Sequence, residues 1–118
     1  MWNGIDKRKF PRANYPCKIT VRRKDQEDTV AAETENIGIG GICALLPKDL
    51  GIFSPVEIQL DLLDNRPIVK CDGSIVWIIQ KKGAEVASFD TGVEFTTIKE
   101  KDQERIEIIV DVVLKNKR

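Results

Sequence analysis

Residues 8–12 read Arg-Lys-Phe-Pro-Arg, and residues 36–41 read Asn-Ile-Gly-Ile-Gly-Gly. Both stretches carry residue types suited to gripping an anion. An arginine guanidinium is a planar fork of five donors that fits phosphate bidentately. The same fork matches O6 and N7 of guanine, and its face stacks on a base. Arg8 and Arg12 together therefore have the chemistry to hold phosphate and guanine. Lys7 and Lys9 flank Arg8, either as auxiliary phosphate contacts or as solvated charges. Asn36 brings an amide, donor and acceptor at once, that is able to read a base edge. Gly38, Gly40 and Gly41 let backbone N–H groups approach a ligand where a side chain would stand in the way. The same glycines also suit a plain turn between two strands.

The charge distribution agrees with a small anionic partner. Overall the 118-residue chain is neutral, with 19 basic and 19 acidic residues. From Met1 to Lys24, however, eight basic residues stand against Asp6 alone, a local balance of +7. From Asp25 to Glu35 the balance is −5. Global neutrality gives no pull toward a long polyanion or an anionic lipid surface, while the N-terminal field favours a small anion.

Composition removes several function classes. Histidine is absent, and with it the usual general base and the commonest zinc ligand. The carboxylates fall mostly at alternating strand positions or on one helix, and no catalytic constellation emerges, so no enzyme is expected. The three cysteines, Cys17, Cys43 and Cys71, are odd in number and widely spaced. They fit neither a disulfide framework nor a Cys-x-x-Cys metal site, and read as buried small hydrophobes in a reducing cytoplasm. No metal or cofactor is expected. No secretory leader is visible, and no apolar run approaches the ~18 residues of a membrane span.

The elements that must position these residues follow from periodicity. Cys17, Ile19 and Val21 alternate with Lys18, Thr20 and Arg22, one strand with an apolar face. Thr29 to Asn36 returns as a second strand after the polar turn Asp25 to Asp28, and Ile42 to Leu46 follows the glycines. Val56, Ile58, Leu60 and Leu62 define the cleanest strand, with Asp64 to Pro67 as turn chemistry behind it. A long strand runs from Ile68 to Gln80, with a bulge or bend expected at Gly73, and Ser88 to Thr96 forms the last. The period then changes: Ile106, Ile109, Val110, Val113 and Leu114 make one helical stripe. Its acidic start and basic end complement the helix dipole. These elements imply one domain, a small antiparallel β-barrel of about six strands with one C-terminal amphipathic helix. Residues 1–14 read as an N-terminal loop, 15–98 as the barrel and 99–118 as the helical end. Trp77 is expected in the core or at the barrel rim rather than as a stacking platform.

The two opening motifs together resemble the PilZ domain family, bacterial receptors for cyclic di-GMP. That family carries Arg-x-x-x-Arg in an N-terminal loop and then Asp/Asn-x-Ser-x-x-Gly at a strand end. Arg8 and Arg12 match the first part, and Asn36 and Gly41 the second. Gly73-Ser74-Ile75-Val76-Trp77 and Gly92-Val93-Glu94-Phe95 resemble two further strands of the family, so the likeness runs over nearly the whole chain. It implies a PilZ-like Greek-key or split barrel, with cyclic di-GMP held by Arg8, Arg12, Asn36, Gly38 and Gly41, and Lys7, Lys9 and Gly40 as auxiliary contacts. It also implies signalling to a protein partner through ordering of the N-terminal loop, from a monomer or homodimer. The family's serine is Gly38 here, and losing one hydrogen bond weakens binding by roughly ten-fold. On this reading Gly38→Ser tightens binding where the backbone tolerates it. Two alternatives stay open: a PilZ-like adaptor that no longer binds the ligand, and a small barrel for single-stranded nucleic acid. Only 6% of residues are aromatic, which disfavours the second.

Overall fold

The computed structural model describes residues 11–83 and 86–116. Seven strands and one helix follow in order: β1 Arg12–Ala13, β2 Lys18–Arg23, β3 Val30–Gly38, β4 Gly41–Leu46, β5 Pro55–Asp61, β6 Val69–Lys81, β7 Ser88–Thr97 and α1 Glu100–Lys115. All pairings are antiparallel. The sheet order β3-β2-β5-β6-β7-β4 closes on itself through a β3–β4 pairing, and β1 adds to the edge of β3. The six-strand barrel with one C-terminal helix agrees with the periodicity. The extra strand β1 lies inside the segment read as loop; two residues are too few to show alternation.

Closure removes the free edges that a short sheet would otherwise expose. It also sets an inner face. Ala13, Ile37, Ile42, Val93 and Ile75 are register neighbours on five strands, and each is at most 3% exposed. Cys17, Ile19 and Val21 of the β2 region, and Val56, Ile58, Leu60 and Leu62 around β5, complete the core as their alternation requires. Three bulges interrupt that rule, one of them between Ile75 and Trp77, where Val76 has no register partner on β7. β6 slips against β7 at Gly73, where a Cβ would press on the Glu94 carbonyl oxygen at 2.7 Å. β3 slips against β4 between Thr34 and Asn36, leaving Glu35 unpaired. Nothing in the residue pattern signals this bulge in β3.

The helix packs against β1 and β3. Ile106 and Val110 are buried, while Ile109 and Val113 are half-buried against the core. Leu114, expected on the same stripe, is instead exposed in the last turn. Among the described residues no helix is long and apolar enough to cross a membrane.

An ion-pair cluster fixes the helix laterally. Arg105 Nε and Nη2 donate to Asp64 Oδ2 and Oδ1 at 3.0 and 2.8 Å, and Nη1 donates to Asp102 Oδ1 at 3.1 Å. Asp64, in the β5–β6 turn, is thereby tied to the helix across 41 residues of sequence. The hydrogen bond from Arg105 holds the Asp64 carboxyl below its ordinary value of 3.8, against the opposing effect of burial. A carboxylate with a depressed folded value adds stability above its unfolded value and loses it as pH falls through the folded one. Arg105→Ala is therefore expected to cost about 2 kcal/mol at pH 7, because two partly buried carboxylates lose their partner. In urea unfolding, the gap between wild type and variant should narrow as pH falls below 3.8.

Candidate functional site

The outer face of the barrel carries two register rows beside one another. One runs Arg12, Gly38, Gly41, Glu94 across β1, β3, β4 and β7. The other runs Asn36, Cys43, Gly92, Trp77 across β3, β4, β7 and β6. Three of these eight positions are glycine, so the rows form a low floor between taller ends. Arg12 and Asn36 stand at one end, Trp77 and Glu94 at the other. All of the row residues except Gly38 line a cavity of about 570 Å³ together with Gly40 and Val76, within the usual range for a small-molecule site.

Arg12 and Asn36 meet directly: Arg12 Nε donates to Asn36 Oδ1 at 2.8 Å across 24 residues of sequence. The bulge at Glu35 makes this contact. Thr34 and Ile37 both point inward, and the extra residue between them sends Glu35 and Asn36 outward together. Because Nε is occupied, the Nη1/Nη2 end of the fork remains for a ligand, as does the Asn36 NH₂. Arg12 exposes surface as a residue, yet neighbouring atoms crowd its guanidinium, and this desolvation draws its pKa below the ordinary value. It stays a cation throughout the physiological range.

Each glycine has its own task. A Cβ at Gly41 would overlap the Val93 carbonyl oxygen, so only glycine lets β4 lie this close to β7. At Gly92 a Cβ would overlap the Trp77 indole, which occupies that position. Gly40 faces open space. Gly38 does not line the cavity; it sits under β1, where a Cβ would meet Pro11 O at 3.0 Å and Arg12 Cγ at 3.3 Å. Lys7, Arg8 and Lys9 lie outside the described residues.

Cys43, Glu94 and Trp77 carry roles that the residue pattern did not reveal. Cys43 is buried, but on the outer floor rather than among the core hydrophobics. Its thiol is pushed up to about 12, first by burial and then by Glu35 and Asp90, so it holds its proton. That thiol donates to Glu35 Oε1 at 3.3 Å. Trp77 is half-buried at the cavity wall, which is a rim position. Glu94 was legible only as part of a strand and Trp77 as a core or rim residue, because their proximity to Arg12 comes from barrel closure.

Glu35, Cys43 and Asp90 bring three potential donor atoms within 4.8 Å of one another, and among the described residues they are the group that could surround a metal ion. The same geometry sets the Glu35 carboxyl against Asp90. Asp90 Oδ2 pairs with Lys81 Nζ at 3.2 Å, whereas buried Asp90 Oδ1 has no donor while Glu35 is ionised. A proton on Glu35 supplies one. The hydrogen bond to Asp90, reinforced by burial, accordingly holds the Glu35 carboxyl above its ordinary value of 4.5.

Two tests follow from this floor. Gly41→Ala should cost about 2 kcal/mol in urea unfolding, an overpacking penalty against backbone, and Gly40→Ala close to nothing. A carboxyl whose folded value is raised adds stability below its unfolded value and loses it as pH rises through the folded one. Glu35→Gln should therefore raise Tm by about 2 °C at pH 7, with the difference vanishing below pH 4.5.

Comparison with known proteins places this architecture. In solved structures the fold recurs in the Bacillus subtilis inhibitor of motility MotI/DgrA, at TM-score 0.79 and 15% identity over 93% of this chain and 52% of that one. It recurs in the PilZ domain of Escherichia coli YcgR, solved with c-di-GMP, at TM-score 0.72 and 14% identity over 93% of each chain. K. pneumonia MrkH in its apo state gives TM-score 0.75 and 18% identity over 94% of this chain and 50% of that one. The chain thus spans about half the length of MotI and MrkH. No curated protein sequence matches it. The family model described as "PilZ domain" matches residues 6–111, and the chain belongs to the PilZ domain family.

Proposed function

We propose that this chain is a cytoplasmic receptor for cyclic di-GMP rather than an enzyme. The observation that carries the reading is the Arg12–Asn36 pair, joined at 2.8 Å on the wall of a cavity of about 570 Å³. The pair presents a guanidinium fork and an amide to one space, which suits phosphate and guanine recognition. The PilZ domain of YcgR was solved with this ligand, and MrkH is described as a c-di-GMP-dependent transcription regulator, which supports the same ligand class here.

On this reading Arg8 and Arg12 close over the ligand, with Asn36 and the backbone at Gly40 and Gly41 beneath it. Lys7 and Lys9 add phosphate contacts. Ordering the N-terminal segment costs conformational entropy, so the arginines act together. β1 follows that segment directly and packs on α1, so the ordered segment and the helix present one surface to a protein partner. Gly38 favours a second reading, a PilZ adaptor that works without ligand, since the family's hydroxyl is missing at that position.

Calorimetric titration of the purified protein with cyclic di-GMP, using GTP and cyclic AMP as controls, decides between them. Selective binding is expected. Arg8→Ala and Arg12→Ala should each lose about ten-fold or more in affinity. Wild-type affinity in both variants would rule out the arginine clamp, and no binding up to high micromolar ligand would favour the adaptor. Affinity should fall only shallowly with salt; a steep fall on single-stranded nucleic acid would point to a polyanion binder. Gly38→Ser should bring no gain, because its Cβ crowds Pro11 and Arg12 at 3.0 and 3.3 Å.

A further inference from the structure

A carboxylate in a cavity built for an anion is a conflict unless it has a donor to meet. Glu94 lines the same space as Arg12 and Asn36. Among the described residues its side chain makes no ion pair and no hydrogen bond. Its place is firmly set. Val93 before it is buried in the core, and Phe95 N after it donates to Gly40 O at 2.9 Å. Glu94 is the register partner of Gly41, whose backbone lies directly against β7. Nothing in the packing requires a glutamate there, since its side chain is exposed.

Its distance from Arg12 is informative. The two residues close opposite ends of one register row, with only Gly38 and Gly41 between them. Three strand spacings separate their backbones by ~14 Å along the sheet. Both side chains line the same cavity, whose floor between them includes Gly41 and Cys43 and where Gly40 faces open space. That is space for a planar base lying between a cation and an anion.

Guanine is the base whose edges fit this polarity. Its O6 and N7 accept hydrogen bonds from an arginine fork. Its N1–H and N2 amino group are adjacent donors, and an ionised carboxylate is acceptor-only with two oxygens placed to receive both. Adenine offers a lone pair at N1 and a single amino group, so one carboxylate oxygen would face an acceptor. We infer that Glu94 is the guanine-selective residue of this cavity, accepting from N1–H and N2–H while the arginine side holds the opposite edge. The inference rests on the cyclic dinucleotide reading above and adds which base is chosen and by what.

The sign of the mutational effect separates this role from a bystander charge. Removing a carboxylate that touches nothing in an anion site strengthens binding of a dianionic ligand or leaves it unchanged. Removing one that reads the base weakens it, because two ligand donors are then left unpaired. Calorimetry on wild type, Glu94→Gln and Glu94→Ala with cyclic di-GMP and cyclic di-AMP makes the distinction. Glu94→Ala should lose about ten-fold or more on cyclic di-GMP and narrow the preference over cyclic di-AMP. Glu94→Gln keeps the shape and one acceptor, and should fall between. Equal or tighter binding of cyclic di-GMP by Glu94→Ala would overturn the inference and leave the receptor reading standing. Absence of binding by the wild-type chain would overturn both.

Discussion

The register between β3 and β4 is the constraint on which the rest of this domain depends. Strand side chains alternate between faces, so two inward residues must be an even number of positions apart. Thr34 and Ile37 are three apart, and both are buried. The bulge at Glu35 reconciles them and has two further effects. It carries Asn36 to the outer face, opposite Cys43, and it turns Glu35 toward Asp90. Without that extra residue either Ile37 would leave the core or Asn36 would enter it. The core and the cavity are two faces of the same pairing.

Charge is distributed over this outer face with opposite signs kept apart. Arg12 lies at one end, tied to Asn36 and partly desolvated. The Glu35–Asp90 pair lies beyond Cys43, with Lys81 on the far side, and the contact with Asp90 raises the Glu35 carboxyl above its ordinary value. Glu94 is the carboxylate that remains exposed to the cavity. A uniformly basic pocket would accept any phosphate. Acceptors placed opposite the arginine restrict it to ligands that bring donors as well.

β1 links the cavity to the rest of the surface. It is only two residues long, held by Arg12 against Gly38 and Ala13 against Ile37, and the helix lies on it. Ala13 is a core residue while its neighbour Arg12 faces the cavity, so the strand belongs to both environments. The helix is anchored separately, by the buried stripe at Ile106 and Val110 and by Arg105 on Asp64 and Asp102.

By itself the sequence determined the architecture, because alternation and helical spacing are local signals. Cys17 to Val21, Val56 to Leu62 and the stripe from Ile106 to Val113 each state which face is apolar, and the barrel with its helix follows. Arg12, Asn36 and the glycines were legible as a site through residue chemistry and family likeness. Tertiary structure alone decided which of them meet, and what else stands beside them. The Arg12–Asn36 contact spans 24 residues and the Arg105–Asp64 contact 41. Trp77, Cys43 and Glu94 reach the cavity only because closure brings β4, β6 and β7 round to β3. The bulge at Glu35 left no mark in the residue pattern, since its cause is the pairing of two strands and not the preference of one. Side-chain chemistry is written residue by residue, but register is a property of pairs, and the lining of this cavity is set by the pairs.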